Sequence, residues 1–98
     1  MRHILDEPGR TTAATLQLGD GLEVRLAVPA GASWSVAEVP GNLQQRVGRT
    51  TAGHRGAAVR AFRFEAAGPG KGLLRLALTG PVGDEEDVRE VTVWVTRT

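Results

Sequence analysis

Apolar residues recur at every second position in several runs of this chain. Leu22, Val24, Leu26 and Val28 alternate with Glu23, Arg25 and Ala27; Leu74, Leu76 and Leu78 alternate with Arg75, Ala77 and Thr79. Val91, Val93 and Val95 oppose Thr92, Trp94 and Thr96 in the same way. That period places alternate side chains on opposite faces, one dry and one wet, and predicts β-strands. Leu16 and Leu18 give a shorter strand before the first run, and Trp34 and Val36 alternate with Ser33 and Ser35. Phe62, Phe64 and Ala66 share a face opposite Arg63 and Glu65, while Val59 falls on the other parity, which predicts a bulge near Arg60 or Ala61. Residues 43–47 fit a short edge strand after the turn Pro40-Gly41-Asn42. A helical reading fails because Gly or Pro interrupts almost every window long enough for three turns. Leucines at 73–78 have helical propensity, but pairing with the valine-rich last run overrides it.

Short strands, frequent turn signals and a mid-chain Trp together predict an all-β fold: an immunoglobulin-like antiparallel β-sandwich of about seven strands, with Trp34 in the core between the sheets. The 98 residues suit one domain spanning 1–98, with 1–12 a tail or a short edge strand. Three Gly/Pro-bearing breaks separate the strands: Val28-Pro29-Ala30-Gly31, Gly53-His54-Arg55-Gly56 and Gly80-Pro81-Val82-Gly83. Such a sandwich would gather them at one end, and clustered loops on a rigid frame commonly carry recognition.

Composition narrows the function. Twelve basic and eleven acidic residues give a net charge of +1, which makes no strong field for nucleic acid or an anionic membrane. The absence of Cys excludes disulfides, thiolate metal sites and a cysteine nucleophile. Met1 to Pro8 carries acidic residues and a proline where a signal peptide needs an apolar run, and no 18-residue apolar stretch occurs. The chain is therefore expected to be soluble, and cytoplasmic unless an export signal was trimmed.

Several motifs invite sharper chemistry and do not sustain it. Gly68-Pro69-Gly70-Lys71-Gly72 lacks the spacing of a phosphate-binding loop and leads into a strand, so it reads as an inter-strand turn. Asp84-Glu85-Glu86-Asp87 lacks the spaced oxygens of a calcium loop and reads as a solvated loop that favours basic partner surfaces. His3 and His54 stand in no metal-ligand cluster and are expected at surface or loop positions. Ser33 and Ser35 lie in no nucleophile elbow, so no enzyme, metal or cofactor is expected. The pentapeptide at 9–13 recurs at 48–52 without matching flanks, a chance repeat. Trp94, opposite the valines, is expected to cover the sheet face or pack beneath a terminal segment.

In strand order, from about Thr15 to Thr98, the chain resembles the chagasin family of cysteine-peptidase inhibitors. The likeness is clearest in Phe62-Arg63-Phe64-Glu65-Ala66-Ala67-Gly68 and Glu90-Val91-Thr92-Val93-Trp94-Val95. The family's first binding loop typically reads Asn-Pro-Thr-Thr-Gly with a core Trp shortly after. Here Gly31-Ala32-Ser33-Trp34 keeps the Gly and Trp, while Ala27 to Ala30 lack the Asn and both Thr and shift the Pro by one. The second loop's Gly-x-Gly-Gly becomes Gly53-His54-Arg55-Gly56, and the third loop's Arg-Pro-Trp keeps only Pro81 in Gly80-Pro81-Val82. The resemblance implies an immunoglobulin-like fold and reversible occlusion of a papain-like cysteine peptidase by three loops, with no covalent step. The implied partner-binding residues are Val28, Pro29, Ala30 and Gly31; Gly53, His54, Arg55 and Gly56; and Gly80, Pro81 and Val82. A monomer is expected. The alternative is a non-inhibitory protein–protein interaction module on the same scaffold, because hot spots favour Trp, Tyr and Arg and the third loop has lost both its arginine and its aromatic.

Overall fold

The computed structural model describes residues 1–52 and 58–97. The alternating runs form eight strands: β1 (Arg2–Asp6), β2 (Thr11–Gln17), β3 (Gly21–Val28), β4 (Ser33–Glu38), β5 (Leu43–Ala52), β6 (Ala58–Ala66), β7 (Gly70–Thr79) and β8 (Glu85–Thr96). They make two four-stranded sheets, one in the order β1-β3-β6-β5 and the other β2-β8-β7-β4. The inner faces carry the positions that the period picks out. Leu22, Val24, Leu26, Phe62, Phe64 and Ala66 from the first sheet meet Leu74, Leu76, Leu78, Val91, Val93 and Val95 from the second in one apolar cluster with Leu16 and Trp34. Burying such a layer is the main favourable contribution to the sandwich.

The sandwich thus has one strand more than the seven expected, and the addition lies in the first twelve residues. β1 and β2 form a strap across one side. β1 runs parallel to β3 with Arg2 opposite Gly21, and β2 runs parallel to β8 with Thr11 opposite Glu90. The strap is tied at its start by Asp20, whose carboxylate accepts from the Met1 amine at 3.2 Å and the Gln17 N–H at 3.0 Å, and bonds His3 Nε2 at 3.0 Å. His3 is accordingly half-buried and bonded to Asp20 rather than a bare surface residue. The remaining pairs, β3–β6, β6–β5, β7–β8 and β4–β7, are antiparallel.

Two local expectations change. The bulge lies in β5, not in β6: β6 runs against β3 without interruption, whereas on its other side the register steps from Arg46 opposite Arg63 to Arg49 opposite Ala61. Val59 is out of phase with Phe62 because it sits on the outer face opposite Ala27. The acidic run is a strand start: Glu85, Glu86 and Asp87 open β8, and Asp87 pairs with Arg89 at 2.5 Å. Trp94 is 47% exposed on the outer face with the Lys71 ammonium 5.1 Å from its ring. The two copies of the pentapeptide fall in different settings, one leading into β2 beside parallel β8 and the other in β5 beside antiparallel β6.

Candidate binding loops at one end of the sandwich

The strand registers bring the first and third breaks, and the strand ends on either side of the second, to the same end. Val28 at the end of β3 is opposite Ala58 at the start of β6, which is also opposite Ala52 at the end of β5. In the second sheet Ser33 at the start of β4 is opposite Thr79 at the end of β7, which is opposite Glu85 at the start of β8. The second break, Gly53 to Gly56 with His54 and Arg55, lies outside the described residues; the strands that lead into and out of it end at this rim.

The first break, 29–32, is a tight turn in which the Ala32 N–H donates to the Pro29 C=O at 3.1 Å. Gly31 sits at its apex with φ +76°, a left-handed conformation that glycine adopts without a Cβ penalty. A Cβ added there would lie 3.6 Å from the Cβ and Cγ of Pro81, so the first and third breaks lie side by side with about a methyl group's space between them. The third break closes on itself: the Gly83 N–H donates to the Gly80 C=O at 3.0 Å and the Gly80 N–H to the Asp84 C=O at 2.9 Å. Pro29, Ala30, Gly31, Pro81 and Val82 are all exposed, with Val82 at 86%. Gly80 is buried instead, and a Cβ on it would run into the Glu86 carboxylate. Val28 is half-buried under the turn.

Beneath this rim lies Trp34. Its indole N–H donates to the Ala27 C=O at 2.9 Å, joining the two sheets just below the first break. Arg89 was invisible as a site residue in the sequence because it reads as an ordinary strand charge. In the structure it faces inward opposite Leu76, with its guanidinium 5.5 Å from the Trp34 ring, a cation–π distance. Asp87 holds that guanidinium at 2.5 Å, and Arg10 stands 3.7 Å from the same carboxylate. The hydrogen bond from Arg89 lowers the Asp87 carboxyl below its ordinary value; burial opposes the shift without cancelling it. Asp84, Glu85 and Glu86 remain exposed and make that flank of the rim acidic. Among the described residues no group of three or more His, Cys, Asp or Glu could hold a metal ion. The rim therefore offers backbone, small apolar side chains and charge, the chemistry of contact.

No protein-family model and no curated protein sequence matches the chain. Solved structures do match it in shape. The crystal structure of EhICP2, a cysteine protease inhibitor from Entamoeba histolytica, superposes with a TM-score of 0.80 at 16% identity, over 97% of this chain and 95% of that one. The solution structure of amebosin gives a TM-score of 0.75 at 19% identity, over 95% and 96%. PbICP-C, solved in complex with falcipain-2, gives 0.55 at 10% identity, over 97% and 98%. Agreement over nearly the full length of each chain, at identities this low, concerns the course of the backbone, and it shows that this chain has the chagasin-like fold.

Proposed function

We propose that the protein is a reversible inhibitor of papain-like cysteine peptidases, a binding protein rather than an enzyme, which acts by laying its three loops into the active-site cleft. The observation that carries this reading is the shared rim: Gly31 and Pro81 set loops 29–32 and 80–84 side by side at the end where β5 stops and β6 begins. The shared fold with a named cysteine protease inhibitor supports it. In this reading Val28, Pro29, Ala30 and Gly31 form the central wedge, where the absence of bulky side chains lets backbone approach a narrow cleft. Gly53 to Gly56 form one flank, with Arg55 available to a carboxylate or carbonyl of the peptidase. Pro81 and exposed Val82 form the other. Loops 29–32 and 80–84, already closed by their own hydrogen bonds, lose little freedom on binding, so a modest set of contacts suffices for a reversible complex. One copy engages one peptidase, and the complex is held by non-covalent contacts alone. Titrating an active papain-like peptidase with the protein tests this: activity falls with dose and returns on dilution, and full activity at about 100 μM protein, where even millimolar-grade binding shows partial loss, sinks the reading.

One observation favours a second reading, a non-inhibitory interaction module. The third loop lacks a large anchor, and its Gly80 is packed on Glu86, so an anchoring side chain there requires Glu86 to move. Affinity capture that enriches a non-peptidase partner, lost on Arg55→Ala, favours the module; enrichment of a cysteine peptidase counts against it.

A further inference from the structure

β1 accompanies β3 only as far as Asp6, opposite Arg25, after which the Glu7 N–H still donates to the Arg25 C=O at 2.9 Å. There the parallel pairing stops. Glu7 takes φ +50°, the one non-glycine residue with positive φ among the described residues. L side chains rarely adopt this conformation, and its persistence calls for a reason. The turn sends the chain through buried Pro8 towards the other sheet and leaves the end of β3, still paired with β6, without a strand on its β1 side.

Ala27 occupies that unaccompanied end, two positions before loop 29–32. Its peptide groups are nonetheless satisfied, both by side chains. The Ala27 N–H donates to Oε1 of Glu7, and the Ala27 C=O accepts from the Trp34 indole at 2.9 Å. The Glu7 carboxylate thus stands where the next residue of β1 would have supplied a carbonyl. A charged acceptor makes a stronger bond than that carbonyl, and it is directed by the same left-handed turn that ends the strand. From these contacts we infer that Glu7, outside all three loops, is a positioning residue of the binding rim: with Trp34 it fixes the peptide of Ala27 and so the base from which the wedge loop projects.

Its effect on a peptidase rests on the inhibitor reading, whereas its effect on the loop is measured on the free protein. Two variants separate the roles. Glu7→Gly removes the carboxylate and relieves the left-handed φ; Glu7→Gln keeps an acceptor oxygen. In Glu7→Gly the melting temperature holds or rises, while amide hydrogen exchange at Ala27 accelerates at least about tenfold, as expected for losing a hydrogen bond to a charged group. The inhibition constant rises in the same proportion, and Glu7→Gln returns both to within about threefold of the parent, since one tenfold step is about 1.4 kcal/mol and a neutral acceptor retains most of it. A purely structural residue would move stability and exchange together. Unchanged exchange at Ala27 in Glu7→Gly, or Glu7→Gln as fast as Glu7→Gly, overturns the inference. So does faster exchange with an unchanged inhibition constant. A parent protein that inhibits no peptidase removes the inhibitor reading, and the exchange measurement still decides whether Glu7 sets the loop.

Discussion

Trp34 and Glu23 differ in how far a single residue's environment can be read from its neighbours in sequence. Trp34 follows a glycine turn by three positions and starts an alternating run, and both cues put it inside, where it is 8% exposed. What the cues omit is its polar partner: the indole N–H bridges to Ala27 on the other sheet. Trp34→Phe keeps an aromatic ring but orphans that carbonyl and leaves a small void, and is expected to cost about 1–3 kcal/mol. Trp34→Ala adds the full cavity and is expected to cost about 3–5 kcal/mol. Urea unfolding of the two variants against the parent measures both, and a Phe variant as stable as the parent would deny the bridge any role. Glu23 shows the opposite case. Alternation assigns it to the wet face, yet it is 1% exposed there, with Arg63 Nε at 2.8 Å and Arg25 Nε at 2.5 Å. Arg63 comes from a strand forty residues away in sequence, and only the register Glu23 opposite Arg63 brings them together. Burial pushes the Glu23 carboxyl up, but hydrogen bonds from Arg63 and then Arg25, with their charges, outweigh it and hold the group below its ordinary value.

Among the elements, the long strands were legible because each buries one face, so a slip by one residue would turn its whole apolar set outward. β1 and β2 were legible only in part, β1 as one of two alternatives for 1–12 and β2 only around Leu16, since their partners are parallel and distant, and β1 mixes exposed Ile4 with half-buried His3 and Leu5. The bulge in β5 escaped for a related reason. A phase change in β6 resembles a bulge, whereas the real one follows Arg46 in a polar edge strand whose pattern carries no phase to break. Gly48 is the residue that permits it, because a Cβ there would overlap the Ala61 carbonyl oxygen. Gly48→Ala forces the two backbones apart and is expected to cost about 1–3 kcal/mol, in line with other overpacking substitutions. Val47→Lys, at a position 88% exposed, is expected to stay within about 0.5 kcal/mol of the parent. Thermal or urea denaturation of the pair reads the difference, and equal effects would remove the bulge as the cause. The loops were legible as punctuation and less so as contacts. Glycine and proline mark where strands end, but whether a loop residue points outward like Val82 or packs inward like Gly80 depends on the neighbouring loop and strand.

At the scale of the whole molecule, acidic groups join parts of the fold that apolar packing does not, and this sets how the protein responds to acid. Asp20 ties the N-terminal strand to the turn before β3, Glu23 links β3 to β6, and Asp87 secures Arg89 and Arg10 near the binding end. All three carboxyls lie below their ordinary values, Asp20 falling to about 2 from 3.8, chiefly because the Gln17 N–H and then His3 bond its ionised form. A carboxyl whose pKa is lower in the folded state releases its proton more readily there than in the unfolded chain. Its stabilisation is therefore complete above the unfolded values, 3.8 for Asp and 4.5 for Glu, and disappears as pH falls through the folded ones. Stability is expected to hold from about pH 7 to about pH 5 and then decline steadily towards pH 2 as these junctions protonate. Asp20→Asn removes the most strongly shifted carboxyl, so it should lower stability at pH 7 and flatten the acid limb, bringing variant and parent together near pH 2. Urea midpoints measured from pH 2 to pH 7 for both proteins test this. Parallel curves, with the variant displaced by the same amount at every pH, would show that Asp20 contributes through its shape and hydrogen bonds and not through its charge.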